Sequence, residues 1–71
     1  MNYHPDILKT AFKFIDKKLI DSKQSIRDIA SEAALLCSIR IVDMFRLVGD
    51  RYGVDLSKDI EELNKFFGYI D

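Results

Sequence analysis

The stretch "AALLCSIRIVDMFRLVG", residues 33–49, decides how this chain folds. Apolar residues recur in it at steps of three and four, which is the spacing of one face of an α-helix. The same face keeps its phase from Ile26 towards Tyr52, and its members are Ile26, Ile29, Ala30, Ala33, Cys37, Ile41, Met44, Leu47 and Val48. Because the phase is unbroken, the pattern predicts one continuous central helix, roughly 40 Å long at about 1.5 Å per residue.

Shorter helices are predicted on either side of this segment. Pro5 suits the first turn of a helix, and apolar residues follow it at helical spacing. Ser25 and Asp28 form a capping arrangement at the start of the central helix, and Gly53 suits its left-handed end. Ser57 then caps a third helix, whose apolar residues are Ile60, Leu63, Phe67 and Ile70. The sequence predicts an all-α fold, a single domain of three helices over all 71 residues.

A second apolar seam lies about half a turn away from the main face. Leu35, Ile39 and Val42 form it, and Arg46 lies at its border. Helices one and three can cover the main face, which leaves the seam without an evident cover, and apolar patches rimmed by charge commonly mark protein contacts. The pattern therefore predicts a homodimeric helical bundle with Leu35, Ile39, Val42 and Arg46 at its interface. The alternative is that the third helix covers the seam within one chain.

The length of the chain also favours a partner subunit. A core built from 71 residues is marginal, and small scaffolds usually add a disulfide, a metal or a second subunit. Cys37 is the single cysteine, so no internal disulfide can form. The single histidine, His4, has no Cys or His cluster around it in the sequence, which argues against a structural zinc site. Oligomerisation is therefore the expected source of additional stability.

The charge balance argues against a dedicated polyanion binder. Lys and Arg number 11 and Asp and Glu number 12, whereas nucleic-acid-binding domains are usually clearly basic. Four residues are nevertheless candidate contacts to an anion or a nucleic acid: Lys9, Lys13 and Lys17 in a stripe, and Arg40 beside the main face. No apolar run approaches the length of about 18 residues that spans a bilayer, and the start lacks a signal-peptide pattern. A cytoplasmic protein without membrane contact is expected.

No catalytic, cofactor-binding or metal-binding residues are predicted. His4 has no evident partner for proton transfer, and the glycines are too scattered to form a phosphate-binding loop. The pairs Asp28 with Glu32 and Asp59 with Glu62 each share a helical face, but holding Mg²⁺ requires a second pair opposite them. Solvated surface is the preferred interpretation of both pairs, and neither a cofactor nor an enzymatic activity is expected.

The passage "LVGDRYGVDLSKDIEEL", residues 47–63, resembles the last helix junction of MazG-like all-alpha nucleotide pyrophosphohydrolases. The resemblance implies a dimeric helical bundle that hydrolyses nucleoside triphosphates with Mg²⁺. That activity needs Glu-x-x-Glu and Glu-x-x-Asp motifs on facing helices, and this sequence has neither. Cys37 and Arg40 stand where the second pair of acids belongs. The resemblance thus indicates architecture and argues against catalysis, with nucleotide binding on a degenerate site as an alternative.

The passage "ILKTAFKFIDKKLIDSKQSIRDIASEAA", residues 7–34, resembles the opening of TetR-type helix-turn-helix domains. In that family the helix ends at a glycine-containing turn, and a recognition helix enters the major groove of DNA. Here residues 34–37 replace the turn, and the segment that follows offers mainly Arg40 to bases or phosphates. The two resemblances imply different geometries for residues 34–38.

The leading functional interpretation is a small non-catalytic module for protein interaction or regulation, acting as a homodimer and contacting itself or another protein. DNA binding, through a helix-turn-helix or through the stripe of Lys9, Lys13 and Lys17, is the second interpretation. A MazG-like domain that binds or hydrolyses nucleotides is the third.

Overall fold

The computed structural model describes residues 3–67, which contain four α-helices. They are α1 Pro5–Asp21, α2 Ile26–Leu36, α3 Ile41–Tyr52 and α4 Ser57–Phe67. The described residues include no strand, so the all-α prediction is confirmed. Among these helices none combines the length and the apolar character needed to span a bilayer.

The prediction of three helices with one long central helix is wrong, because the chain turns at residues 37–40. Ser38 has a φ of 53°, in the left-handed region. The next residue, Ile39, donates its backbone N–H to the carbonyl of Ala34 at 3.0 Å and is only 5% exposed. A left-handed residue followed by an apolar one that packs back on the helix is the Schellman ending. Glycine usually occupies the left-handed position at a helix end, so a serine at position 38 does not indicate a turn in the sequence.

The predicted main face is kept in part across this turn. Ile29, Ala30 and Ala33 on α2 and Met44 and Val48 on α3 are fully buried. Ile41 and Leu47 on the same face are only partly buried, whereas Val42 and Phe45 beside it are buried. Four residues are close to the 3.6 residues of one helical turn, so the sequence spacing alone does not reveal the break.

The helices pack in chain order. α1 packs against α2, α2 against α3, and α3 against α4. α2 and α3 each pack against two helices, and α3 buries Val42, Asp43, Met44, Phe45 and Val48. The core cluster consists of Ala11, Ile15, Ile29, Ala30, Ala33, Ala34, Ile39, Met44, Phe45, Val48 and Leu56. Many of these side chains are small, and small side chains allow helices to approach closely.

Several predicted helix ends are confirmed. Pro5 lies in the first turn of α1. The Ser25 side chain caps α2 by accepting the backbone N–H of Asp28 at 3.2 Å. Gly53, with a φ of 66°, ends α3 in the left-handed conformation. These positions are set by local backbone chemistry, which the sequence displays directly.

The start of α4 is held by a different oxygen from the one predicted. The carboxylate of Asp55 accepts the backbone N–H of Ser57 at 3.0 Å and its hydroxyl at 2.6 Å. These two hydrogen bonds, the hydroxyl first, lower the pKa of Asp55. The predicted apolar face of this helix includes Ile70, which lies outside the described residues.

The start of α3 is held by a residue distant in sequence. Arg40, at the N-cap position, has no side-chain capping bond. Its backbone N–H donates to the Tyr3 hydroxyl at 3.2 Å, and that hydroxyl donates to the Asp43 carboxylate at 2.7 Å. In a capping box the acid accepts the N-cap N–H directly. Here the tyrosine hydroxyl stands between the two groups and ties the N-terminal segment to α3.

A second polar cluster joins α1 to the end of α3. The Tyr52 hydroxyl donates to Asp16, and Arg51 lies 3.9 Å from the other oxygen of that carboxylate. The Arg51 guanidinium also lies 4.5 Å from the centre of the Phe12 ring, a cation–π distance. These contacts hold the two helices together at the surface, beside the core.

Candidate protein-docking groove

A groove of about 800 Å³ opens between α2, α3 and α4. We call it the α4 groove. α3 contributes its apolar floor, α2 forms one wall and α4 forms the other. The lining residues are Arg27, Ser31, Ile41, Phe45, Asp59, Glu62, Leu63, Lys65 and Phe66.

Helical spacing explains why these residues meet in one place. Arg27 and Ser31 are four residues apart on α2, and Ile41 and Phe45 are four apart on α3, so each pair lies on one helical face. On α4 the lining residues begin at Asp59 and continue at steps of three and four. One turn beyond Ser31 the same face of α2 carries Leu35, which is 84% exposed. Leu35 therefore extends the α2 wall with apolar surface.

An ion pair links the two walls of the groove. Nη1 of Arg27 lies 3.3 Å from Oδ1 of Asp59 and connects α2 to the first turn of α4. Among the described helices, α4 packs closely against α3 alone. The side of α4 that faces the groove is consequently covered less than the side on α3.

Phe66 is the most unusual residue of the groove. It is 83% exposed, whereas Phe45 in the floor is 3% exposed. An aromatic side chain presents a large apolar area, and its exposure beside other apolar residues is typical of an interaction surface. Glu62 and Lys65 flank it on α4 with opposite charges. The α4 groove thus combines an apolar centre with charged borders.

The predicted dimer seam is not an exposed surface of this chain. Leu35 is exposed at the end of α2, but Ile39 is 5% exposed and Val42 is fully buried. Arg46 is partly exposed on α3. The seam was predicted for an unbroken helix. Because the chain turns at residues 37–40, Ile39 and Val42 lie in the chain's own core. Dimerisation itself stays a prediction.

The predicted anion contacts are placed on two separate elements. Lys9, Lys13 and Lys17 are exposed and follow one another at four-residue steps along α1, so they share a face of that helix. Arg40 is exposed in the turn between α2 and α3. Across the described part of the chain, no group of three or more His, Cys, Asp or Glu residues is placed to hold a metal ion.

The two phenylalanines of the groove, Phe45 and Phe66, were not among the predicted site residues. Helical periodicity assigns Phe67 to the apolar face of the last helix and leaves Phe66 unassigned. A usable signal was present, because two consecutive phenylalanines cannot both lie on the same narrow face of a helix. Phe45 was missed because it lies beside the main periodic face and not on it.

Comparisons with known proteins add no relative. No family model matches the sequence, and no curated protein or solved structure matches it.

Proposed function

We propose that this chain is a small non-catalytic protein-interaction module of the cytoplasm that acts as a homodimer and serves a regulatory role. The α4 groove is its contact surface, and the partner in that groove is a second copy of the chain. The observation that carries the proposal is the exposure of Phe66, 83%, in the lining of a groove with an apolar floor.

The energetics favour association through this residue. Complete burial of a phenylalanine side chain contributes about 1.5–3 kcal/mol relative to leaving it in water. In a symmetric dimer that contribution occurs twice, once for each Phe66. About 1.4 kcal/mol changes a dissociation constant tenfold, so this side chain alone can dominate the strength of the dimer. Exposed aromatic anchors of this kind are typical of interface centres.

The shape of the groove fits a helix. Its floor carries Ile41 and Phe45 four residues apart, and its α4 wall carries Leu63 and Phe66 three apart. Apolar residues at these steps are how a hydrophobic groove accepts the apolar face of an amphipathic helix. Each helix of this small chain is amphipathic, so a second copy offers such a face without any other partner. A homodimer also supplies the additional burial that a chain of 71 residues needs.

A matched pair of substitutions tests the proposal. Phe66→Asp places a charge at the groove, and Ile20→Asp places one at a position that is also 83% exposed but lies at the end of α1. Light scattering coupled to size-exclusion chromatography should give a dimer for the parent and for Ile20→Asp. Phe66→Asp should give mainly monomer, because its carboxylate loses solvation on association. Equal behaviour of the two variants would count against the α4 groove as the contact.

DNA binding is a second candidate, and the turn at residues 37–40 favours it. Two helices joined by a three- or four-residue turn form the helix-turn-helix unit, whose second helix enters the major groove. In this arrangement α3 is the recognition helix. Exposed Arg40 at its start, with Lys9, Lys13 and Lys17 on α1, would contact phosphates.

We rank DNA binding second because α3 offers little to a base pair. Five of its residues are buried, and its last arginine, Arg51, is engaged with Asp16 and Phe12. Fluorescence anisotropy with a short labelled duplex in low salt tests this candidate. Binding that falls steeply as salt is added, and weakens in Arg40→Ala, would support it. No binding at low salt would exclude it.

A further inference from the structure

We infer that the α4 groove of each subunit holds helix α4 of the second copy, in an antiparallel arrangement about a two-fold axis that passes between Leu63 and Asn64. This inference rests on the proposed homodimer, and it adds which helix of the second copy packs in the groove and in which direction that helix runs. The observation that carries it is that the α4 wall of the groove presents both charges and apolar side chains: Glu62 and Lys65 lie beside Leu63 and Phe66.

The symmetry of a homodimer favours α4 as the helix that enters the groove. α4 packs against α3 on one side and lines the groove on the other. Any helix that enters the groove therefore lies alongside α4. If that helix is the second α4, each subunit fills the other's groove by the same contact, and the assembly closes as a two-fold dimer. Any other helix of the second copy would require a further apolar face outside the groove on each subunit.

The charged residues of the α4 wall favour an antiparallel pair. Glu62 and Lys65 both line the groove and lie three residues apart. An antiparallel pair centred between Leu63 and Asn64 places Glu62 opposite the partner's Lys65, and the symmetry repeats this contact. A parallel pair in register would place Glu62 level with the partner's Glu62 and Lys65 level with the partner's Lys65, so no opposite charges would be paired. Charges that border a helix–helix contact set its orientation, and these two favour the antiparallel one.

The apolar residues of the α4 wall are also brought together by the antiparallel pair. With a rise of about 1.5 Å per residue, Phe66 lies about 4 Å from the axis, measured along the helix. On that side the partner's Leu63 lies about 1 Å from the axis and the partner's Asp59 about 7 Å from it. Phe66 thus falls over the space between them. The arrangement therefore places the Phe66 side chain against apolar surface of the partner's Leu63.

Charge reversal tests the arrangement. Glu62→Lys and Lys65→Glu should each weaken self-association roughly tenfold, because each places like charges opposite one another twice. The double variant Glu62→Lys with Lys65→Glu should recover the parent dissociation constant, since it restores the opposite pairing. Glu61→Lys is the matched control for Glu62→Lys: it is an exposed neighbour outside the groove lining, and it changes the net charge by the same amount. It should dimerise like the parent.

Sedimentation equilibrium in low salt supplies the measurement, and helical circular dichroism confirms that every variant is folded. Single reversals that weaken the dimer, together with recovery in the double variant, support the antiparallel pair. Single reversals without effect overturn the arrangement; if Phe66→Asp still separates the subunits, the proposed function survives. A parent that is monomeric throughout overturns both proposals.

Discussion

Arg27 and Asp59 lie 3.3 Å apart and join the first turn of α2 to the first turn of α4. α4 otherwise packs on α3, so within the described residues this contact bridges the α4 groove from wall to wall. The position of α4, and with it the position of Phe66, depends in part on this ion pair.

Asp59→Asn should loosen α4 without unfolding the rest of the chain. The Arg27 side chain is 63% exposed, and ion pairs this accessible contribute at most about 1 kcal/mol. We expect hydrogen exchange to become faster in α4 and to stay unchanged in α1. Arg27→Gln should have the same effect, and the double variant should add little further. Equal acceleration in both helices would contradict a local role for the pair.

Tyr3→Phe should destabilise the whole chain. The substitution removes the hydroxyl that bonds to Arg40 and Asp43, and Asp43 is only 7% exposed. A buried acceptor that loses its donor costs about 1–3 kcal/mol. Urea unfolding followed by circular dichroism gives the change in free energy.

Tyr52→Phe is the control for that substitution. It also removes a bond from a tyrosine to an aspartate, but the side chain of Asp16 is 50% exposed and regains water. We therefore expect a smaller loss of stability than for Tyr3→Phe. The reverse order would contradict the assigned role of Tyr3 at the start of α3.

Stability should fall in alkaline solution because of both tyrosines. Burial, and then the hydrogen bond to a carboxylate, raises the pKa of Tyr52, and burial is also the largest cause of the raised pKa of Tyr3. A raised pKa means that the folded chain keeps a proton that the unfolded chain releases above about pH 10. The stabilisation is complete below that pH and is lost as the pH rises through the folded-state pKa. Urea midpoints measured from pH 8 to 11 should decline less in each Tyr→Phe variant than in the parent.

Ser38→Gly should stabilise the chain by about 1 kcal/mol. Ser38 has a φ of 53°, a backbone conformation that disfavours any residue with a Cβ by roughly 1–2 kcal/mol. Glycine removes that strain and loses part of the gain through the greater freedom of the unfolded chain. Thermal unfolding measures the difference. A lower melting temperature for Ser38→Gly would contradict the turn at this position.

Local features were predictable from the sequence, and tertiary ones were not. Ser25 and Gly53 cap their helices as expected, because capping depends on neighbouring backbone groups. Ile29 and Met44 are in the core as expected, because periodicity marks a buried face. The turn at Ser38 escaped because it lacks glycine and has nearly the length of one helical turn.

The candidate site was harder to predict for a different reason. Ile39 and Val42 read as a surface seam only on a straight helix, and the turn placed both inside the core. The α4 groove depends on the separation between α2 and α4, which no local pattern encodes. Periodicity places Phe67 on the apolar face of the last helix and gives Phe66 no place on that face, so the 83% exposure of Phe66 in the groove depends on how α4 packs.

Sedimentation equilibrium of the unaltered chain, from micromolar to millimolar concentration, is the decisive test of the proposed homodimer. A reversible dimer should give a mass that rises with concentration from 8.2 kDa towards twice that value. A mass that stays at 8.2 kDa up to the highest concentration would contradict the proposed homodimer.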